Sequence, residues 1–85
     1  MKPVILTPDQ WKKIRDQLHE EHPKTVFMLR NKMRNVLGFT VRDHKAFIPK
    51  MDGGYYDLQV HLDFYSEKKR TMFLMKFSEI LHEKL

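Results

Sequence analysis

Lys24, Arg30, Asn31, Arg34 and Asn35 fall within one short stretch and carry the side chains suited to gripping an anion or reading a polar edge. Lysine and arginine neutralise phosphates or carboxylates, while arginine and asparagine make bidentate contacts with base edges. Spacings of three and four residues gather them on one arc if the stretch is helical. Phe27 and Met28 share that arc, and they add a different chemistry. Methionine repacks against varied surfaces and phenylalanine buries a large area, so the mixture suits an interface with another macromolecule. Met72 and Met75 fall on the outer side of the last helical stretch and belong to the same type. The plain alternative is a helix turned by one position, with these apolar groups in the core.

Other constellations carry less. His61 with Asp57 or Asp63, joined by His44, has the donor types of a hard metal site. Such a site needs three or more converging ligands, however, and the polar side of an antiparallel strand ordinarily faces water. No nucleophile, glycine-rich phosphate loop or defined carboxylate pair accompanies these residues, so the chain reads as non-enzymatic, with no cofactor and no metal. In His19-Glu20-Glu21-His22 the histidines are three apart at a helix end, where the helix dipole alone explains them. Lys68-Lys69-Arg70 is a charge run in the first turns of the last helix. Arg70 lies on its apolar arc and is expected to snorkel or to pair with a carboxylate.

The elements that position these groups follow from local pattern. Pro3–Leu6 is short and extended. Thr7-Pro8-Asp9-Gln10 is a helix start, with Thr7 as N-cap, Pro8 in the first helical position and Gln10 closing a capping box. The first helix runs from Pro8 to about Glu21, with Trp11, Ile14 and Leu18 on one stripe. The second runs from about Lys24 to Leu37 and ends at Gly38, a left-handed cap. Its inner side gathers Val26, Leu29, Met33, Val36 and Leu37, which leaves the mixed arc outward.

From Phe39 onward the period changes to two. Tyr56, Leu58, Val60, Leu62 and Phe64 alternate with Tyr55, Asp57, Gln59, His61 and Asp63 as in a half-buried antiparallel strand. Asp52-Gly53-Gly54 supplies a hairpin turn, so Phe39–Val41 and Ala46–Lys50 pair back against this strand. A bulge or small turn is expected over Arg42–Lys45, where straight pairing puts charges on the buried face, and Pro49 marks an edge. A last helix starts at Ser66-Glu67 and continues to the terminus. Phe73, Leu74, Phe77, Ile80, Leu81 and Leu85 face the sheet, with Lys68, Met72, Met75, Glu79 and Glu83 opposite. The fold class is α+β in the order β-α-α-β-β-α: a three-stranded antiparallel sheet with three helices, to which the N-terminal segment adds a possible short fourth strand. Residues 1–85 form a single compact domain.

Composition bounds the function. The 85 residues are 41% hydrophobic and include six Phe, three Tyr and one Trp, enough for one core. The absence of cysteine excludes disulfides and thiolate metal sites. With no apolar run of membrane-spanning length and no export leader, the chain is expected in the cytoplasm, away from membranes. A net charge of +5 favours polyanions without requiring them. The expected function is that of a small regulatory or accessory protein binding a larger macromolecule, a protein or nucleoprotein, through Lys24, Phe27, Met28, Arg30, Asn31, Arg34 and Asn35. A second expectation uses the same helix on DNA or RNA, because a helix pair followed by a hairpin carrying Lys45 and Lys50 resembles the winged-helix plan in outline.

Overall fold

Thr7 sets the first boundary through its own side chain. Its backbone is extended, its hydroxyl accepts a 3.1 Å hydrogen bond from the Gln10 N–H, and the Gln10 side-chain oxygen accepts one of 2.9 Å from the Thr7 N–H. Two donors that a helix end leaves unpaired are thereby satisfied. In the computed structural model, which describes residues 1–82, helix α1 spans Pro8–Glu21 with Ile14 and Leu18 buried and Trp11 half-buried above the sheet.

Strand β1 (Val4–Leu6) precedes α1. Helices α2 (Thr25–Met28) and α3 (Arg30–Lys32) follow it, and then a π-helical turn at Met33–Leu37. Strands β2 (Phe39–Ile48) and β3 (Tyr55–Phe64) form the hairpin, and α4 (Glu67–Lys76) and α5 (Ser78–Leu81) close the described chain. All three strands are antiparallel in the order β1-β3-β2. The N-terminal segment is therefore the third strand of the sheet, at one edge, and β2 is the other edge. Leu85 and Glu83, assigned above to the two sides of the last helix, lie outside the described residues. That helix is interrupted at Phe77, where φ −108° and ψ 23° separate α4 from α5.

Three sequence expectations are corrected. Arg42–Lys45 is no bulge: β2 pairs without interruption, from Phe39 opposite Phe64 to Ile48 opposite Tyr55. The charges needed no escape, because an open cleft separates the start of α1, at Asp9, Lys12 and Arg15, from the sheet here, and Asp43 and Lys45 project into it exposed to water. For the same reason Tyr56 and Leu58, expected to be buried, stand 67% and 56% exposed. The outer half of the hairpin is a two-stranded ribbon projecting from the body. The Cα radius of gyration of 14.2 Å exceeds the roughly 12 Å of a compact chain of this length.

The third correction concerns the second helix. It is not one rod but two single turns and a π turn, interrupted at Leu29, whose φ of −114° and ψ of 114° are extended. Leu29 and Val36, both expected inside, are 51% and 43% exposed, while Val26, Met33 and Leu37 are buried. The break resets the helical phase. The widened turn, closed by a 3.1 Å bond from the Gly38 N–H to the Met33 carbonyl, brings Met33 and Leu37 down together and turns Val36 out. Gly38 takes the expected left-handed conformation at φ 83°, and a Cβ there would come within 2.4 Å of the Lys69 side chain.

The core lies between the helices and one end of the sheet. Val4, Leu6, Phe39, Val60, Leu62 and Phe64 meet Ile14, Leu18, Val26, Met33, Leu37, Phe73 and Phe77. Leu29→Ala is expected to change unfolding stability by no more than about 0.5 kcal/mol, as at exposed sites. Leu37→Ala removes buried volume and is expected to cost about 2–5 kcal/mol. Urea titration followed by circular dichroism distinguishes this from a continuous rod, in which both leucines would be costly.

Candidate functional site

The stretch from Lys24 to Asn35 is held by three anchors, Val26, Met33 and Leu37, and by two contacts at its sides. The Phe27 ring stacks on His19 of α1, with centroids 4.1 Å apart and planes 12° from parallel, and packs against the core half-buried. It fastens α2 to α1. On the other side, Lys69 Nζ donates a 2.8 Å hydrogen bond to the Val36 carbonyl and fastens the π turn to α4. Between these anchors Lys24, Met28, Leu29, Arg30, Asn31, Arg34 and Asn35 are exposed, Met28 to 78%.

Of the residues singled out from the sequence, the structure brings Arg30 and Arg34 together on one target, Tyr65. The Arg34 guanidinium lies over its ring, 5.2 Å from the centroid. The Tyr65 hydroxyl meets the Thr40 hydroxyl at 3.3 Å, and Arg30 acts on it as a nearby donor and positive charge. The Thr40 bond is the larger influence holding the phenol below its ordinary pKa, followed by Arg30 as a donor and, against an opposing effect of burial, the charges of Arg30 and Arg34. The surroundings of this hydroxyl thus favour negative charge. Tyr65 carried no sequence signal, because only strand register shows that it closes over Thr40 beside Arg30.

On the side of the sheet away from the helices, Arg42, His44, His61, Gln59 and Asp63 form a second cluster. Arg42 donates to both carboxylate oxygens of Asp63 at 3.1 and 3.3 Å, and lies 3.4 Å from His61 Nδ1. His61 Nε2 is 3.1 Å from the Gln59 side-chain oxygen, and the His44 ring lies 4.6 Å away. The neighbours of His61 bury it to 8% exposure, whereas the sequence pattern put it in water. Its two nitrogens face an amide and a guanidinium, so the ring has neither a hydroxyl to activate nor a carboxylate to orient it. Among the described residues no three His, Asp or Glu side chains are placed to hold a metal ion, and no helix is long and apolar enough to cross a membrane.

Behind Met28 a void of about 350 Å³ opens between α1, α2, α3 and the start of the β2 edge, lined by Trp11, Arg15, Phe27, Met28, Arg30, Met33, Thr40 and Val41. This stretch therefore offers the Arg34 guanidinium over an aromatic ring with Arg30 nearby, flanking amides, and an exposed thioether at the mouth of a recess of mixed lining. That arrangement suits docking.

Burial first, and then the charges of His44 and Arg42, depress the His61 pKa below that of a free imidazole, against an opposing effect of Asp63. Protonation is thus harder in the folded chain than in the unfolded one, where the value is about 6.5. The unfolded state binds more protons in that window, so stability is full above about pH 6.5 and falls on acidification toward the folded value. His61→Gln is expected to flatten the fall in melting temperature between neutral and mildly acidic pH. An unaltered slope in thermal scans would remove His61 as its source.

Comparison of the chain with protein-family models, with curated proteins and with solved structures returned no match.

Proposed function

We propose that this protein is a non-enzymatic accessory factor of the cytoplasm that docks on an acidic face of a larger protein or nucleoprotein assembly. Arg30 and Arg34 are the charged centre of the contact, Met28 its apolar part, and Lys24, Asn31 and Asn35 its polar rim. Phe27 supports the surface from behind through His19. The observation that carries this reading is the break at Leu29. It leaves Met28 and Leu29 exposed immediately beside Arg30, in a stretch whose core anchors are already satisfied. Apolar side chains exposed next to arginine are the composition of interface centres rather than of solvated helix faces. A π turn adjoins the site, and such turns are frequent at functional positions.

A second reading is nucleic-acid binding by the same residues, favoured by one observation: Arg30, Arg34 and Tyr65 present two phosphate-binding forks beside an aromatic ring. The winged-helix form of that reading is weakened. Groove readout uses a regular helix, and here Arg30 and Arg34 lie on either side of a change from α to π geometry. A hairpin touching the phosphate backbone would also be basic, whereas Asp43, Asp52 and Asp57 offset Lys45 and Lys50.

Arg30→Glu with Arg34→Glu reverses the charge of the contact without touching a buried residue. The double variant is expected to keep the wild-type circular dichroism and melting temperature and to lose a partner that the wild type retains in affinity capture from its native host. Retention of that partner by the variant would sink the docking surface. A mobility shift with duplex and single-stranded nucleic acid at two salt concentrations separates the two readings, because phosphate contacts weaken steeply with salt. No shift at low salt removes the second.

A further inference from the structure

The projecting ribbon presents an unused surface of another kind. β2 is an edge strand, and its first residues lie beside the π turn and Arg30. β1 pairs with Val60–Leu62 of β3, so among the described residues Tyr55–Gln59 also lacks a strand on its far side. Phe47 is 52% exposed on the helix side of the ribbon. A lone two-stranded ribbon is marginal in water, and an uncovered edge is a template for another strand.

We propose that the β2 edge pairs antiparallel with the same edge of a second copy of this chain, centred on His44, to make one continuous sheet across a two-fold axis. The order of residues along the edge selects this occupant. Val41, Asp43, Lys45 and Phe47 share the helix side of β2, and Arg42, His44 and Ala46 share the other. Pairing about His44 sets Asp43 opposite the second copy's Lys45, and Lys45 opposite its Asp43. It sets Val41 opposite Phe47, twice over, and leaves Arg42 facing the small Ala46. Opposite charges directly across an antiparallel pair stabilise it and like charges oppose it.

Neighbouring registers that keep both helix layers on one side fail this test. A slip toward the tip places Lys45 against Lys45, and a slip the other way places Asp43 against Asp43. The void lined by Trp11, Phe27, Met28, Met33 and Val41, with Arg15, Arg30 and Thr40 among them, opens beside Val41, which is the position opposite the incoming Phe47. An exposed ring on each copy thereby gains a recess on the other that offers it aromatic, aliphatic and guanidinium contacts, as the self-complementarity of a two-fold interface requires. This interface borders the docking surface, with which it shares Met28 and Arg30 at the recess, while Arg34 does not line the recess.

The test uses the intact chain. Sedimentation across micromolar to sub-millimolar concentrations is expected to show a reversible species of twice the 10.4 kDa chain mass. Asp43→Lys and Lys45→Asp each turn two attractive pairs into two repulsive ones and are expected to weaken the dimer roughly tenfold or more. The D43K/K45D double variant restores the pairing and the dimer. Because the protein has no cysteine, His44→Cys gives an independent readout. Facing positions in an antiparallel pair are about 4.5–5.5 Å apart at Cα, within disulfide range, so oxidised H44C is expected to run as a covalent dimer. Asp57→Cys, on the opposite strand of the ribbon, remains a monomer.

A wild type that stays monomeric at every concentration overturns the proposal. So does a dimer that the single swaps leave intact, or one that the double swap fails to restore. Cross-linking through D57C in place of H44C assigns self-association to the β3 edge and likewise overturns it. Loss of the dimer in R34E with D43K unaffected would place the contact on the docking surface, so failure of this proposal is distinguishable from failure of that one.

Discussion

Phe39 lies where the layers of this fold meet. Its ring packs against Phe64 at 5.0 Å, Phe73 at 5.5 Å and Trp11 at 6.2 Å, and Phe73 continues to Phe64 at 5.3 Å and to Phe77 at 4.8 Å. One chain of aromatic contacts thus binds α1, α4 and both hairpin strands. Aromatic pairs at these separations contribute beyond the area they bury. Since the cluster sits at one end of the hairpin, all the helices gather there, and 85 residues do not supply enough helix to cover the other end. The ribbon, its free edges and its exposed Phe47 are consequences of where the rings are.

The same placement explains the segmented second helix. To reach the aromatic cluster the chain buries Val26 beside α1 and then Met33 and Leu37 beside β2; the three share one side of a helical wheel but meet different neighbours. Short helices draw most of their stability from packing rather than propensity, so the backbone gives way at Leu29 and widens before Gly38. Leu29 is the residue sacrificed. Its exposure beside Arg30 is produced by core packing elsewhere, which makes the candidate surface a by-product of the fold available to a partner rather than part of what holds the fold together.

Features governed by neighbours in sequence were legible from it. The Thr7–Gln10 box, the Gly38 cap, the Asp52-Gly53-Gly54 turn and the alternation over Val60–Phe64 all appear where local chemistry places them. What sequence could not give was the extent of each layer. Alternation identifies a strand with two unlike sides but not how much of its length a helix covers, so Leu58 read as core and Asp43 as a reason to bulge. A helical wheel likewise assumes one phase, and therefore put Leu29 and Val36 inside and Phe27 outside. Tyr65 and the burial of His61 depend on strand register, which sets residues far apart in the chain side by side. The outward positions of Arg30, Asn31, Arg34 and Asn35 survived the change of phase, because no core position within reach accepts a charge or an amide without a partner.

An exposed sheet edge is a hazard that chains blunt with charge and proline, and β2 carries Arg42, Asp43 and Lys45 in succession with Pro49 just beyond its end. Their effect is selective rather than uniformly repulsive. Asp43 and Lys45 point to the helix side of the sheet, where an arbitrary apolar strand pairing here would offer neither of them an opposite charge across the pair. A strand is accepted only if it offers a cation opposite Asp43 and an anion opposite Lys45 in antiparallel sense. The sequence of β2 read backwards meets that condition. Edge charges that exclude foreign strands therefore leave admissible the one strand always present at the same concentration as the protein itself.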